Sequence, residues 1–291
     1  MIGNNPVRAW AGRARAIVAC ATALLAAGLG ADAGHGTTPA AAARVEVFGT
    51  SFRVTTTDGR LLQGSDLLGA VLTLGDDADH RVELRIDDRR PDPRDPTGET
   101  ILYTLMVREP ASGEWRNLCR ADPDGVAMGF PVAGLSDKPG REGREPGRFS
   151  LTCTSGATGK CVRMGYKPWK TMPDGTSLRP YHTACTRMLR ADYCGDGVPH
   201  TRDGTPINIY DRLGIQVADR APSMVFEAAW GPDGAVCVSR VRVPDVATLD
   251  AVERACPARL GGRIGPQACG ADAAGALLFN DSVERTAAGP Q

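Results

Sequence analysis

The sequence is short of aromatic side chains, of lysine and of net charge. Phe, Trp and Tyr make up 5% of its 291 residues, and 34 basic residues balance 34 acidic ones. Only four lysines occur, at positions 138, 160, 167 and 170. A nucleic-acid binder needs a basic stripe to meet phosphate, so this balance argues against one. No C-x-x-C pair is present, which leaves a zinc ribbon poorly supported. There is no G-x-S-x-G elbow and no H-E-x-x-H, so two common hydrolase signatures are missing. No repeat of solenoid or propeller period occurs. The longest uncharged run near the start, Ala16 to Ala31, has 16 residues. That is short of the ~20 a membrane helix needs.

That run has the layout of an export signal. Arg8, Arg13 and Arg15 precede it, and Ala31-Asp32-Ala33 supplies small residues at the cleavage positions. Cleavage after Ala33 is expected, giving a secreted or periplasmic chain with no integral membrane segment. Ile17-Val18-Ala19-Cys20 resembles a lipobox, but Arg15 leaves too short an apolar stretch before Cys20. Removing residues 1–33 takes away three Arg and one Asp, leaving 31 basic and 33 acidic residues. It also takes away Cys20 and leaves eight cysteines: 119, 153, 161, 185, 194, 237, 256 and 269. An even count in an exported chain points to a disulfide framework. The expected pairs are Cys119–Cys153, joining two strand-like segments, then Cys256–Cys269, Cys185–Cys194 and Cys161–Cys237.

Patterning predicts a mainly β fold with a few short helices, α+β being the alternative. Residues 34–43 lack periodicity and read as a linker. Val82, Leu84 and Ile86 alternate with charged residues, as a half-buried strand does. Residues 100–109 are rich in β-formers, and a β-rich N-terminal module is expected over 44–150. Pro131–Gly147 reads as a long exposed loop of Pro, Gly and charge. A disulfide-stapled domain is expected over 151–270, followed by a C-terminal tail over 271–291. Cys161–Tyr166 reads as a strand. Tyr181–Ala191 and Val246–Ala255 read as helices, the second capped by Asp245 or Thr248 and ended by Pro257. Gly231-Pro232-Asp233-Gly234 is a hairpin signal between Met224–Trp230 and Ala235–Val243.

The densest chemistry lies over 181–211, which holds two of the four histidines, two cysteines and several carboxylates. His182 or His200 with Asp192 or Asp203 would supply the base and orienter of an exported hydrolase. His182, Cys185, Cys194 and His200 can be written as a zinc set, though exported cysteines more often pair together. Read from Asp192, carboxylates fall at loop positions 1, 5 and 12, with Gly197 at position 6. An EF-hand wants Asp or Asn where Cys194 stands and Glu where Asp203 stands. An irregular calcium loop of Asp192, Asp196 and Asp203 is the remaining metal reading, and turn-capping by the same aspartates is the plainer one. No other cofactor is suggested. Tyr166, Trp169, Tyr181, Tyr193 and Tyr210 cluster in one stretch, either as a carbohydrate- or peptide-binding face or as a core.

Ala191-Asp192-Tyr193-Cys194 followed by Gly195-Asp196-Gly197 resembles the ADYC-domain family of exported bacterial proteins. CVRMGYKPW at 161–169, HTRDGTPINIYDRLG at 200–214 and FEAAWGPDGAVC at 226–237 agree with it. The resemblance runs roughly from Cys153 to Cys256. It implies an exported setting and brings no catalytic residue with it. The leading functional expectation is therefore a non-enzymatic secreted or cell-surface module for an extracellular or periplasmic ligand. The hydrolase using His182 or His200 is the alternative.

Overall fold

The computed structural model describes residues 42–75, 81–133, 149–219 and 222–283. The signal, the 34–41 part of the linker, residues 134–147 of the expected loop and the last eight residues lie outside these. The fold is mainly β, with thirteen strands in three antiparallel sheets and four short helices among the described residues. The chain divides into two compact units, one ending at Gly159 and the other beginning at Lys160.

In the first unit, β1 (Ala42–Phe48), β2 (Ser51–Thr56) and β3 (Leu61–Gln63) form a three-stranded sheet in that order. Phe52, Val54 and Thr56 are buried while Ser51, Arg53 and Thr55 are only half so, the period-2 burial of a one-sided sheet. A second sheet follows the order β4 (Val71–Gly75), β5 (Arg81–Pro91), β6 (Ile101–Arg108), β8 (Gly129–Ala133), β9 (Phe149–Cys153). The short strand β7 (Trp115–Asn117) also pairs with β6. Leu84 and Ile86 of β5 are fully buried, as their alternation with charge requires. The charged residues from Asp87 continue β5, which passes a register shift between Ile86 and Asp88 and runs on to Pro91. Cys119 and Cys153 pair, with Cα atoms 5.4 Å apart. Gly129 passes so close to this bridge that a Cβ there would lie 2.7 Å from Cys119 Sγ and 2.4 Å from the Thr152 carbonyl oxygen.

The expected boundary at 150/151 falls inside β9, whose five residues are all buried in the first unit. A fully buried strand paired with β8 cannot be a linker, so the division comes later, within α1 (Ala157–Arg163). That helix replaces the strand expected at Cys161–Tyr166. Cys161 and Val162 are both fully buried although adjacent, and Tyr166 follows. Helical winding satisfies that spacing and alternation does not.

The second unit contains α2 (Arg179–Arg190), β10 (Ile207–Asp211), β11 (Met224–Gly231), β12 (Gly234–Val238), α3 (Leu249–Ala255), α4 (Pro257–Leu260) and β13 (Leu278–Val283). Its sheet has the order β10-β13-β11-β12. The supposed C-terminal tail thus supplies an interior strand, because Leu278, Phe279, Asn280 and Ser282 are all buried. Ala184, Cys185 and Met188 of α2 pack into one core with Trp230, Ala235 and Val238 of the sheet. Thr248 caps α3, its hydroxyl accepting the Ala251 N–H at 3.2 Å. Pro257 does not end helical structure but opens α4, since a first-turn proline needs no N–H partner.

Three bridges differ from expectation: the pairs are Cys161–Cys185, Cys194–Cys256 and Cys237–Cys269. Cys185 faces the core from the middle of α2 and meets α1, so it cannot also reach Cys194 beyond the end of its own helix. Cys256, between α3 and α4, meets Cys194. Cys269 therefore crosses to Cys237 on β12, in a small apolar cluster with Ala229, Ala276 and Phe279.

Candidate functional site

The Ala191–Cys194 tetrapeptide ends α2. Ala191 adopts φ 49°, the left-handed conformation that closes a helix. Its N–H reaches the Met188 carbonyl, and the Asp192 N–H reaches that of Arg187, the paired bonds of a Schellman turn. Asp192 is fully buried. One of its carboxylate oxygens accepts from the Arg187 guanidinium and from the Gly197 N–H at 3.0 Å. The Tyr193 ring is also fully buried and stacks on Trp230 at 5.3 Å. The Tyr193 carbonyl accepts the Ala235 N–H at 2.8 Å, docking the turn against the β11–β12 hairpin. Gly195 has φ +74°, and a Cβ there would lie 1.7 Å from the Asp233 carbonyl oxygen, so only glycine fits that contact.

Beneath the turn lies a buried ion pair. Glu227 and Arg242 are 0% and 1% exposed. Arg242 Nε and Nη2 donate to the two Glu227 oxygens, each at 2.9 Å. Arg242 also donates to the carbonyls of Met188 at 2.8 Å and Leu189 at 3.1 Å, in the last turn of α2. The Tyr193 hydroxyl donates to Glu227 at 3.2 Å and accepts the Arg242 N–H at 2.9 Å. Burial, and then the Glu227 charge, push the Tyr193 hydroxyl well above the ordinary tyrosine range. Burial alone would lower Arg242, but the Glu227 charge and hydrogen bonds more than reverse that, and its guanidinium stays charged. Sequence reasoning missed this pair. The signal was a lone Glu227 inside the apolar run Val225–Trp230, and an Arg242 between Val241 and Val243.

The sequence candidates occupy four different settings. His182 is buried within α2, 2% exposed, and closed to a substrate. His200 is half-buried; its Nδ1 pairs with the Ala191 carbonyl at 3.1 Å and its ring lies 5.6 Å from that of Tyr193. That bond makes Nδ1 the protonated nitrogen, oriented by main chain rather than by a carboxylate. Asp192 serves Arg187, and Asp203 is exposed on the turn before Gly204. Asp196 accepts the Val198 N–H at 2.9 Å, capping its own turn. Among the described residues no three His, Cys, Asp or Glu side chains converge as metal ligands, so neither the zinc set nor the calcium loop is assembled. Cys185 and Cys194 of that zinc set are each bridged elsewhere.

The clustered aromatics form no single face, although the rings of Tyr166 and Tyr181 stack at 6.5 Å. Tyr166 and Tyr193 are core residues. Tyr166 donates to Asp211 at 2.6 Å, and burial, followed by that bond, raises its hydroxyl above the usual range. Tyr210 is half-buried and donates to Asp281 at 3.1 Å. Burial first, and the Asp281 charge second, raise it as well.

Tyr210 lines an open groove of about 730 Å3 in the second unit, with Val225 and Phe226 of β11, Arg240, Val241 and Leu249. Arg240 spends two donors on the carbonyls of Ser282 and Val283 at the end of β13. The lining includes this arginine and no carboxylate.

No curated protein and no solved structure matches the chain. The ADYC-domain model matches residues 64–244, and so begins in the first unit, well before the Cys153 at which the motif resemblance starts. It takes in the whole turn-and-ion-pair assembly from Met188 to Arg242. With more than half of its length matched, the chain belongs to the ADYC-domain family.

Proposed function

We propose that the chain is an exported, non-enzymatic binding module. Its ligand on this reading is a small apolar molecule with an anionic group, held in the groove of the second unit. The observation that carries the reading is the groove itself. Its volume lies in the range of small-molecule sites, ~300–1,000 Å3. Its walls are mostly apolar, and its one charged lining residue is Arg240. Among the described residues Arg240 has no carboxylate partner, so an acidic ligand group would complement it. Two of the four catalytic candidates, His200 and Asp192, are engaged in holding the α2 turn instead. Four disulfide pairs support an oxidising, extracytoplasmic setting.

The test uses 8-anilinonaphthalene-1-sulfonate, an apolar dye with one sulfonate, on the full mature chain. Saturable fluorescence enhancement with one site is expected. Val225 is 38% exposed and lines the groove. Val225→Glu should therefore weaken dye binding at least tenfold without altering the thermal transition. Non-saturable binding, or an unchanged affinity in Val225→Glu, would overturn the reading.

A further inference from the structure

The four bridges are not equally protected. Cys161 and Cys185 are both 0% exposed, Cys237 and Cys269 are 3% and 6%, and Cys119 and Cys153 are 4% and 6%. Of the eight bridged cysteines, only Cys194 and Cys256 are half-buried rather than fully buried. Thiol–disulfide exchange needs a thiolate to approach a sulfur along the S–S axis, so access sorts these bridges before any other property does.

We propose that Cys194–Cys256 is a thiol–disulfide exchange site, opened by a dithiol reductant of the oxidoreductase class while the other three bridges stay closed. A thiolate of the reductant attacks one sulfur of the pair, forming a mixed disulfide and expelling the other cysteine as a thiolate, which takes up a proton. The second thiol of the reductant then attacks its own sulfur in the mixed disulfide and releases the remaining cysteine thiol. Two electrons pass to the protein, and the reductant leaves as a disulfide.

The surroundings suit a bridge that opens and recloses. Both sulfurs approach the Val252 carbonyl oxygen, Cys194 Sγ at 3.8 Å and Cys256 Sγ at 3.4 Å. A thiol formed at either position has an acceptor waiting. The bridge ties the α2 turn to α3 and α4, the short helices spanning 249–260. Apart from the bridge, the deeply buried side chains of those helices are Val252 at 1% and Leu260 at 0% exposure. Ala251, Arg254, Ala255, Pro257 and Ala258 face solvent. Two apolar anchors keep the helices near the core after reduction, and the turn loses its covalent tie. Leu249, the first residue of α3, lines the groove, so opening the bridge loosens one wall of it; this last consequence rests on the binding reading above.

The experiment incubates the oxidised mature chain, residues 34–291, with increasing dithiothreitol, quenches with acid, alkylates free thiols and maps them by peptide mass spectrometry. Cys194 and Cys256 should be labelled together, at least tenfold faster than any other cysteine, with the far-ultraviolet circular dichroism unchanged. Earlier opening of another bridge, or labelling of all eight cysteines at one rate, overturns the proposal. A Cys194→Ser/Cys256→Ser variant gives an independent reading. If it folds with no free thiol and its six cysteines keep their resistance, the proposal stands. If it unfolds, or those six become labile, the bridge is a structural staple and the proposal fails. Dye binding is not needed for either readout, so failure here and failure of the groove reading are separate results.

Discussion

The buried Glu227–Arg242 pair gives the sharpest quantitative test of how the second unit is held. Consider Arg242→Met, which keeps most of the side-chain volume and removes the guanidinium. Two charge-assisted bonds to Glu227 vanish, leaving a fully buried carboxylate whose remaining side-chain donor is the Tyr193 hydroxyl. Removing one member of a buried pair costs about 3–5 kcal/mol. The Leu189 carbonyl also loses its donor, at about 1 kcal/mol when left unsatisfied, whereas the Met188 carbonyl keeps the Ala191 N–H. The expected loss is therefore about 4–6 kcal/mol, comparable with the whole stability of a typical domain, about 5–15 kcal/mol. Glu227→Gln should cost less, about 2–4 kcal/mol, because the amide keeps one acceptor and Arg242 keeps its two carbonyls. Glu227→Leu/Arg242→Met removes both charges and should be less damaging than Arg242→Met alone, leaving chiefly the orphaned Leu189 carbonyl, about 1–2 kcal/mol. Urea unfolding followed by the near-ultraviolet dichroism of the stacked Tyr193 and Trp230 measures all three. Single-variant losses below about 1 kcal/mol, or a double variant as costly as the sum of the singles, would refute the reasoning.

Gly195 and Gly197 both have positive φ, but only Gly195 is in close contact with a neighbour. Gly197→Ala should cost about 1–2 kcal/mol from backbone strain, and Gly195→Ala distinctly more, as read by thermal melts; equal losses would count against the hairpin contact. Tyr166, Tyr193 and Tyr210 all have raised hydroxyl pKa values through burial and neighbouring carboxylates. Their folded pKa exceeds the unfolded value near 10, so the stability linked to their protonation is intact below about pH 10 and falls at up to about 1.4 kcal/mol per pH unit per tyrosine above it. Tyrosinate absorbance should then rise cooperatively with alkaline unfolding, and gradual titration of a folded protein would contradict this. Asp192→Asn should destabilise the fold by about 1–3 kcal/mol through loss of the Arg187 bond, while millimolar calcium leaves the melting temperature unchanged; a calcium-dependent rise lost in that variant would restore the metal reading.

Strand alternation carried the first unit well. Leu84 and Ile86 had charged neighbours on both sides, and a sheet with one dry face has a single way to place them. Cys119–Cys153 was legible for the same reason, since two strand-like segments around a loop become neighbours in a sheet. The other bridges were not, because they depend on where helices point. Cys161 looked strand-like until Val162 beside it proved equally buried. The aspartates of the 192–203 loop show the limit at the site. Spacing placed their carboxylates at plausible ligand positions. Whether each meets a cation, an arginine or its own backbone depends on burial, which spacing does not report. Asp192 met Arg187, and Asp196 met the Val198 N–H. The ion pair under the turn joins two strand-like stretches fifteen residues apart; Glu227 sat in an apolar run and Arg242 between two valines, neither with a visible counterpart.

The order of the bridges along the chain has a consequence for how the protein is made. Cys119–Cys153 and Cys161–Cys185 each join consecutive cysteines, so both can close as a chain emerges, N-terminus first, into an oxidising compartment. The last four interlock: Cys194 must wait for Cys256, and Cys237 for Cys269. When Cys237 emerges, Cys194 is the free thiol behind it, and joining the two at once would trap a wrong ring. Correct closure then requires that bond to be broken and remade after residue 269 has arrived. If the chain is exported, the half most closely identified with the family motif is thus the half in which a mispaired ring would need disulfide isomerisation, whereas the first unit and the α1–α2 bridge can be completed by simple oxidation.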